Sequence, residues 1–72
     1  MKHKYENHEY EVLKQDKGYI YNIFTQDETY IFWNGTNILT TSPDYYQSAI
    51  KARIKATEII DRIENGDEVI YT

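Results

Sequence analysis

The chain contains no cysteine, and its 72 residues include only one proline and three glycines. Without cysteine, disulfides and thiolate zinc sites are both excluded, so stability beyond that of a small core must come from packing or from a partner. Each glycine fits a turn or a helix cap, which leaves no phosphate-cradling loop. No apolar run approaches the roughly 20 residues that cross a bilayer, and the start Met1-Lys2-His3-Lys4-Tyr5-Glu6 leads into no signal-peptide core. The expectation is a soluble protein of the cytoplasm. Basic charge is also scarce where it would matter: from Gly18 through Ile50 there is no Lys or Arg, while Asp27, Glu28 and Asp44 lie inside that stretch.

Catalysis has little to draw on. The two histidines, His3 and His8, sit near the N-terminus, and strand alternation would send His8 and its acidic neighbours Glu6, Glu9 and Glu11 to different faces. No nucleophile is spaced with a base, and no placed pair of carboxylates stands out. The sequence therefore points to no catalytic residue, no metal site and no cofactor, and to a protein that is not an enzyme. Asn34-Gly35-Thr36 matches a glycosylation acceptor but reads better as a hairpin turn.

What the chain does have is tyrosine, eight in all, within a composition that is 40% hydrophobic. That is enough apolar surface for one small domain over residues 1–72 and too little for two cores. Glu9 to Leu13 and Tyr19 to Thr25 read as strands joined by a hairpin, with Gly18 supplying a positive φ. Thr29 to Trp33 and Thr36 to Thr41 read as two more strands about the Asn34-Gly35 turn. Ser42, Pro43 and Asp44 carry the marks of a helix start, and the spacing predicts a helix over Pro43 to Glu64, closed by Asn65-Gly66. At 100° per residue Tyr45, Ala49, Ala52, Ala56, Ile59, Ile60 and Ile63 form one stripe, small enough to receive aromatic side chains from a sheet. The fold class is α+β: a small antiparallel sheet of three to four strands followed by one long helix packed on one face, ββββα or βββα. The tail Asp67-Glu68-Val69-Ile70-Tyr71-Thr72 would return as a short strand or pack under the end of the helix.

Two sets of apolar residues fall outside that core. A single helix covers one sheet face, so large side chains among Tyr19, Tyr21, Tyr30, Phe32 and Trp33 are expected on the other. Ile50 and Ile54 stand at i, i+4 on the helix face opposite the stripe, as a contact for a partner or for a second copy of the chain. Around them lie acidic residues: Asp27 and Glu28 between strands, and Asp61, Glu64, Asp67 and Glu68 near the helix C-terminus, where the dipole disfavours them. Lys51, Lys55 and Arg62 share one helix flank, which could touch phosphates or simply be solvated.

In the order of its elements the chain resembles small sheet-plus-helix DNA-binding modules of the AP2-like and integrase arm-binding kinds, whose strands would be the readers. Their sheets carry Arg and Lys, and here Tyr19 to Thr41 has neither. In size, acidity and tyrosine content it is similar to small phage or mobile-element inhibitors of host defence enzymes, including anti-CRISPR and DNA-mimic proteins. That resemblance implies a non-enzymatic protein-binding module, its acidic side chains standing where phosphates would lie in a basic cleft. Nucleic-acid binding is the alternative, and a small-ligand-binding homodimer with Tyr-lined pockets is a second.

Overall fold

A computed structural model of the chain describes residues 2–25 and 35–66. These form four strands, β1 (Lys2–Tyr5), β2 (His8–Gln15), β3 (Gly18–Phe24) and β4 (Ile38–Thr41), and one helix, α1 (Ala49–Glu64). The strands make one antiparallel sheet in the order β1-β2-β3-β4, and α1 follows it in the chain and packs on one face. This is the α+β arrangement expected from the sequence.

Register decides which side chains meet the helix. Tyr10 pairs with Ile23 and Val12 with Tyr21, and strand alternation puts all four on one face. There Tyr10, Tyr21 and Ile23 form a single core with Ala56, Ile59 and Ile60, and Tyr5, Val12, Tyr46 and Ile63 pack at its margin. Ala52 and Ala56 are wholly buried. They bring the helix backbone close to the sheet and leave the volume to tyrosine, as the small stripe implied. Ile23 and Ile60 are likewise inaccessible, each contributing about 1.5–3 kcal/mol of apolar burial.

The opposite face carries a polar row that crosses the whole sheet: Lys2 pairs with Glu11, Glu11 with Asn22, and Asn22 with Thr41. Asn22 Nδ2 donates to Glu11 Oε1 at 3.0 Å, and Thr41 Oγ1 donates to Asn22 Oδ1. Buried Asn22 is thus satisfied on both ends of its amide. Lys2 Nζ lies 4.2 Å from the centre of the Phe24 ring on this same face.

The bounds of β2 and β3 differ from the sequence expectation by one or two residues, and three departures are larger. The helix starts at Ala49 rather than Pro43, with Ser48 as its N-cap, its side chain accepting from the Lys51 amide. The cause is tertiary: Tyr46 exchanges two backbone hydrogen bonds with Tyr19, both 2.8 Å, and this isolated bridge to β3 keeps Tyr46 out of the helix. Ser42 Oγ donates to the Asp44 carbonyl and caps nothing. In consequence Tyr45 and Ala49, expected in the buried stripe, are exposed. The strand expected from Thr36 begins at Ile38, and a bulge within it leaves Leu39 between the residues paired with Phe24 and Ile23. Finally, β1 was not anticipated, because Lys2 and Lys4 give it a polar look. They are edge-strand residues set opposite Glu11 and Glu9. The strand expected at Thr29 to Trp33, the Asn34 half of the turn and the tail from Asp67 lie outside the described residues.

Candidate functional site

The helix is amphipathic in an unusual way: its inner stripe is alanine and isoleucine, and its outer face also carries isoleucine. Ile50 is 71% exposed and Ile54 61%, and with Tyr45 at 53% they are the exposed large hydrophobic residues among those described. Ile50 and Ile54 are one turn apart and point away from the sheet, since Ala52 between them and Ala56 beyond them point in. Tyr45 precedes the first turn and is flanked by Lys17, whose Nζ is 6.0 Å from the ring centre. The sequence stripe hid Tyr45 by assigning it to the core.

The polar side chains beside the two isoleucines are engaged within the chain. Thr57 Oγ1 donates to the Ile54 carbonyl at 2.9 Å, and Lys51 Nζ donates to Gln47 Oε1 at 3.3 Å. Lys55 and Glu58 form an ion pair at 3.0 Å, and Arg53 Nε donates to the hydroxyl of buried Tyr10 at 2.9 Å. The basic flank anticipated as a phosphate contact is therefore partly drawn into local pairs.

A second cluster joins the β1–β2 turn to the last turns of α1. The Tyr5 hydroxyl reaches both Asp61 carboxylate oxygens, at 3.1 and 3.3 Å, and Asn7 Nδ2 donates to Glu64 Oε2 at 3.4 Å. His8 Nδ1 stands 2.9 Å from Glu64 Oε1, within ion-pair distance but without an aligned hydrogen bond. Glu6 takes φ 55°, the left-handed region, in the turn itself. Incomplete solvation of the carboxyl first, then a hydrogen bond to Asp61 and the charges of Asp61 and Glu64, hold it above the usual range. Asp61 likewise raises the Tyr5 hydroxyl, chiefly by accepting its hydrogen bond. Sequence reasoning singled out Asp61 and Glu64 as acidic patch residues and weighed Glu6 only as a neighbour of His8, because its place beside them depends on the unanticipated β1.

Of the residues expected to face a partner, Ile50 and Ile54 are on the surface together. Tyr19 is half-buried, and its backbone is paired with Tyr46. Tyr21 is in the core at 2% exposure, its ring stacked 6.2 Å from that of Tyr46. Burial, reinforced by Tyr46, Asp44 and Glu58, pushes its hydroxyl up to about 12. Asp61 and Glu64 sit in the turn–helix cluster, on a different part of α1 from Ile50. Tyr30, Phe32, Trp33, Asp27, Glu28, Asp67 and Glu68 lie outside the described residues. Among the described residues no three His, Asp or Glu side chains converge as metal ligands, and no helix is long and apolar enough to cross a membrane. No protein-family model matches the chain, and no match is found among curated proteins or solved structures.

Proposed function

We propose that the chain is a non-enzymatic protein-binding module whose contact surface is the outer face of α1, and that it works, as a small inhibitor does, by occupying a surface of the protein it meets. The observation that carries this is the pair Ile50 and Ile54, exposed side by side on a helix whose core-facing stripe is already complete without them. Burying both would contribute about 3–6 kcal/mol, which falls short of the roughly 8 kcal/mol of a micromolar complex before association entropy is counted. Neighbouring residues must therefore take part, and Tyr45 is suited to this, giving large contact area for few rotatable bonds.

The geometry favours this surface over phosphate mimicry by the acidic residues. Asp61 and Glu64 already accept from Tyr5 and Asn7, so a basic partner would have to compete for them. Nucleic acid is disfavoured by the net charge of -4 and by the local pairing of Lys55 and Arg53.

The test is affinity capture from a lysate of the native host, with and without nuclease, comparing the wild-type chain with Ile50→Asp/Ile54→Asp. A nuclease-resistant partner, lost in the double variant while unfolding stability stays within about 0.5 kcal/mol, is the expected result. Capture unchanged by the substitutions, or abolished by nuclease, would refute the proposal.

A further inference from the structure

We propose that Asn65-Gly66, at the end of α1, is a site of spontaneous covalent modification, where the asparagine becomes aspartate or isoaspartate at a rate set by opening of the helix cap. The site lies at the other end of α1 from Ile50 and is independent of the contact surface proposed there. Both reacting groups are adjacent and reachable. Asn65 is exposed, Gly66 has no side chain to shield its amide nitrogen, and a Cβ placed on it would meet nothing within 4 Å. On losing its proton to water, the Gly66 nitrogen attacks Asn65 Cγ. A C–N bond forms, the side-chain nitrogen takes up a proton and leaves as ammonia, and a five-membered imide remains. Water then adds to either imide carbonyl. Opening at one leaves aspartate, and opening at the other leaves isoaspartate, whose main chain is one methylene longer.

The fold restrains this reaction through the cap. Asn65 has ψ of -1°, which eclipses the Gly66 nitrogen with the Asn65 nitrogen. Ring closure needs it eclipsed with Asn65 Cβ instead, a rotation of about a third of a turn at a near-tetrahedral Cα. The Gly66 amide also donates to the Ile63 carbonyl at 3.1 Å, and Ile63 is anchored at the margin of the core. That bond breaks as ψ rotates. Closure is therefore confined to the moments when the cap is open, and helix ends open far more readily than cores do. With one backbone hydrogen bond opposing the opening, the folded chain should react about 2–10-fold more slowly than the unfolded one.

The product matters because of where it forms. The Asn65 amide donates to the Asp61 carbonyl at 3.0 Å, and the side chains of Asp61 and Glu64 accept from Tyr5 and Asn7 beside the β1–β2 turn. A carboxylate at position 65 adds negative charge beside Asp61 and Glu64, at the end of the helix where the dipole is negative too. In isoaspartate the added methylene also moves Gly66 off the Ile63 carbonyl. Modification thus loosens the clasp between the last turn of α1 and the β1–β2 turn.

The test incubates the full chain at neutral pH, folded and in parallel unfolded in guanidinium chloride, and follows position 65 by peptide mapping with mass spectrometry. Both samples should convert, the folded one about 2–10-fold more slowly, and the slowing should match within severalfold the hydrogen-exchange protection of the Gly66 amide. Ser48→Ala, which loosens the far end of α1, should leave the folded rate unchanged. No product at position 65 of the folded chain, in the time that converts the unfolded chain completely, would overturn the site. Equal folded and unfolded rates, or acceleration by Ser48→Ala, would overturn control by the cap. Asn65→Asp should melt at a lower temperature than the uncharged Asn65→Ser, and equal melting would overturn the effect assigned to the new charge.

Discussion

Gly18 ties the β2–β3 hairpin to the segment that leads into α1, and replacing it with alanine isolates that tie. Its φ is 143°, in a region that only glycine adopts comfortably, and a Cβ there would stand 2.7 Å from the Tyr46 carbonyl oxygen and 3.3 Å from Tyr45 Cβ. The oxygen belongs to backbone and accepts from the Tyr19 amide at 2.8 Å, so relief requires the 45–46 segment to withdraw. Two backbone bonds, at a net 0.5–1.5 kcal/mol each, are then at stake in addition to about 1–2 kcal/mol of dihedral strain. The sum is about 2–5 kcal/mol, against about 4–11 kcal/mol expected for a domain of this length. Gly66 is the internal control, because its φ of 78° is also positive but a Cβ would meet nothing within 4 Å. Gly66→Ala should cost only about 1 kcal/mol of strain. In urea, Gly18→Ala should lower the unfolding free energy by about 1–4 kcal/mol more than Gly66→Ala does, through an earlier midpoint at an unchanged denaturant slope. Equal losses in the two variants would refute the steric role given to Tyr46.

Ser48→Ala should destabilise the chain by about 1 kcal/mol, and Ser42→Ala by less than about 0.5, because only Ser48 caps a helical amide; the reverse ranking in chemical denaturation would restore the earlier helix start. The Tyr21 hydroxyl is raised from 10.0 to about 12 in the fold, so its contribution to stability is complete below pH 10 and is lost as pH climbs through about 12. Tyr21→Phe should remove the latest-titrating part of the tyrosinate absorbance and flatten the alkaline loss of stability, and a persistent late phase would contradict the assignment. Glu6 is also raised in the fold, so its contribution is present below pH 4.5 and lost as the carboxyl ionises beside Asp61 and Glu64. Glu6→Gln should therefore raise the melting temperature at pH 7 and lose that advantage in acid. Glu6→Gly should keep part of it there by relieving the positive φ, and identical pH profiles for the two variants would refute this division.

Much of the architecture is legible in local pattern. The alanine stripe identified the buried side of the helix, and Gly18 marked the hairpin, because each depends on residues close in sequence. The helix start was misplaced for a physical reason: Ser42-Pro43-Asp44 has every local feature of an N-terminus, yet Tyr46 is claimed by Tyr19, a partner 27 residues away. β1 escaped notice because an edge strand needs only one apolar face, and its outward lysines gain their meaning from Glu9 and Glu11 across the ladder. The placement of Tyr21 turned on parity, since a one-residue change of register would have exchanged it with Ile20.

That parity also determines what the tyrosines are for. Tyr10 and Tyr21 fill the space left by Ala52 and Ala56, and Tyr5 and Tyr46 pack at the margin. A tyrosine under a helix needs an outlet for its hydroxyl, and Tyr10 and Tyr5 find theirs in Arg53 and Asp61, on α1 itself. The helix is thus held by its inner stripe and pinned by polar bonds near each end, which accounts for positions 52, 53, 56 and 59 to 61. Positions 50 and 54 take no part in any of this. Isoleucine there is mostly exposed, adds little packing and has lower helix propensity than alanine, so folding alone gives little reason for the pair. The tyrosine-rich core is what frees the outer face of α1 to be apolar for another reason, and the contact surface we propose there would supply one.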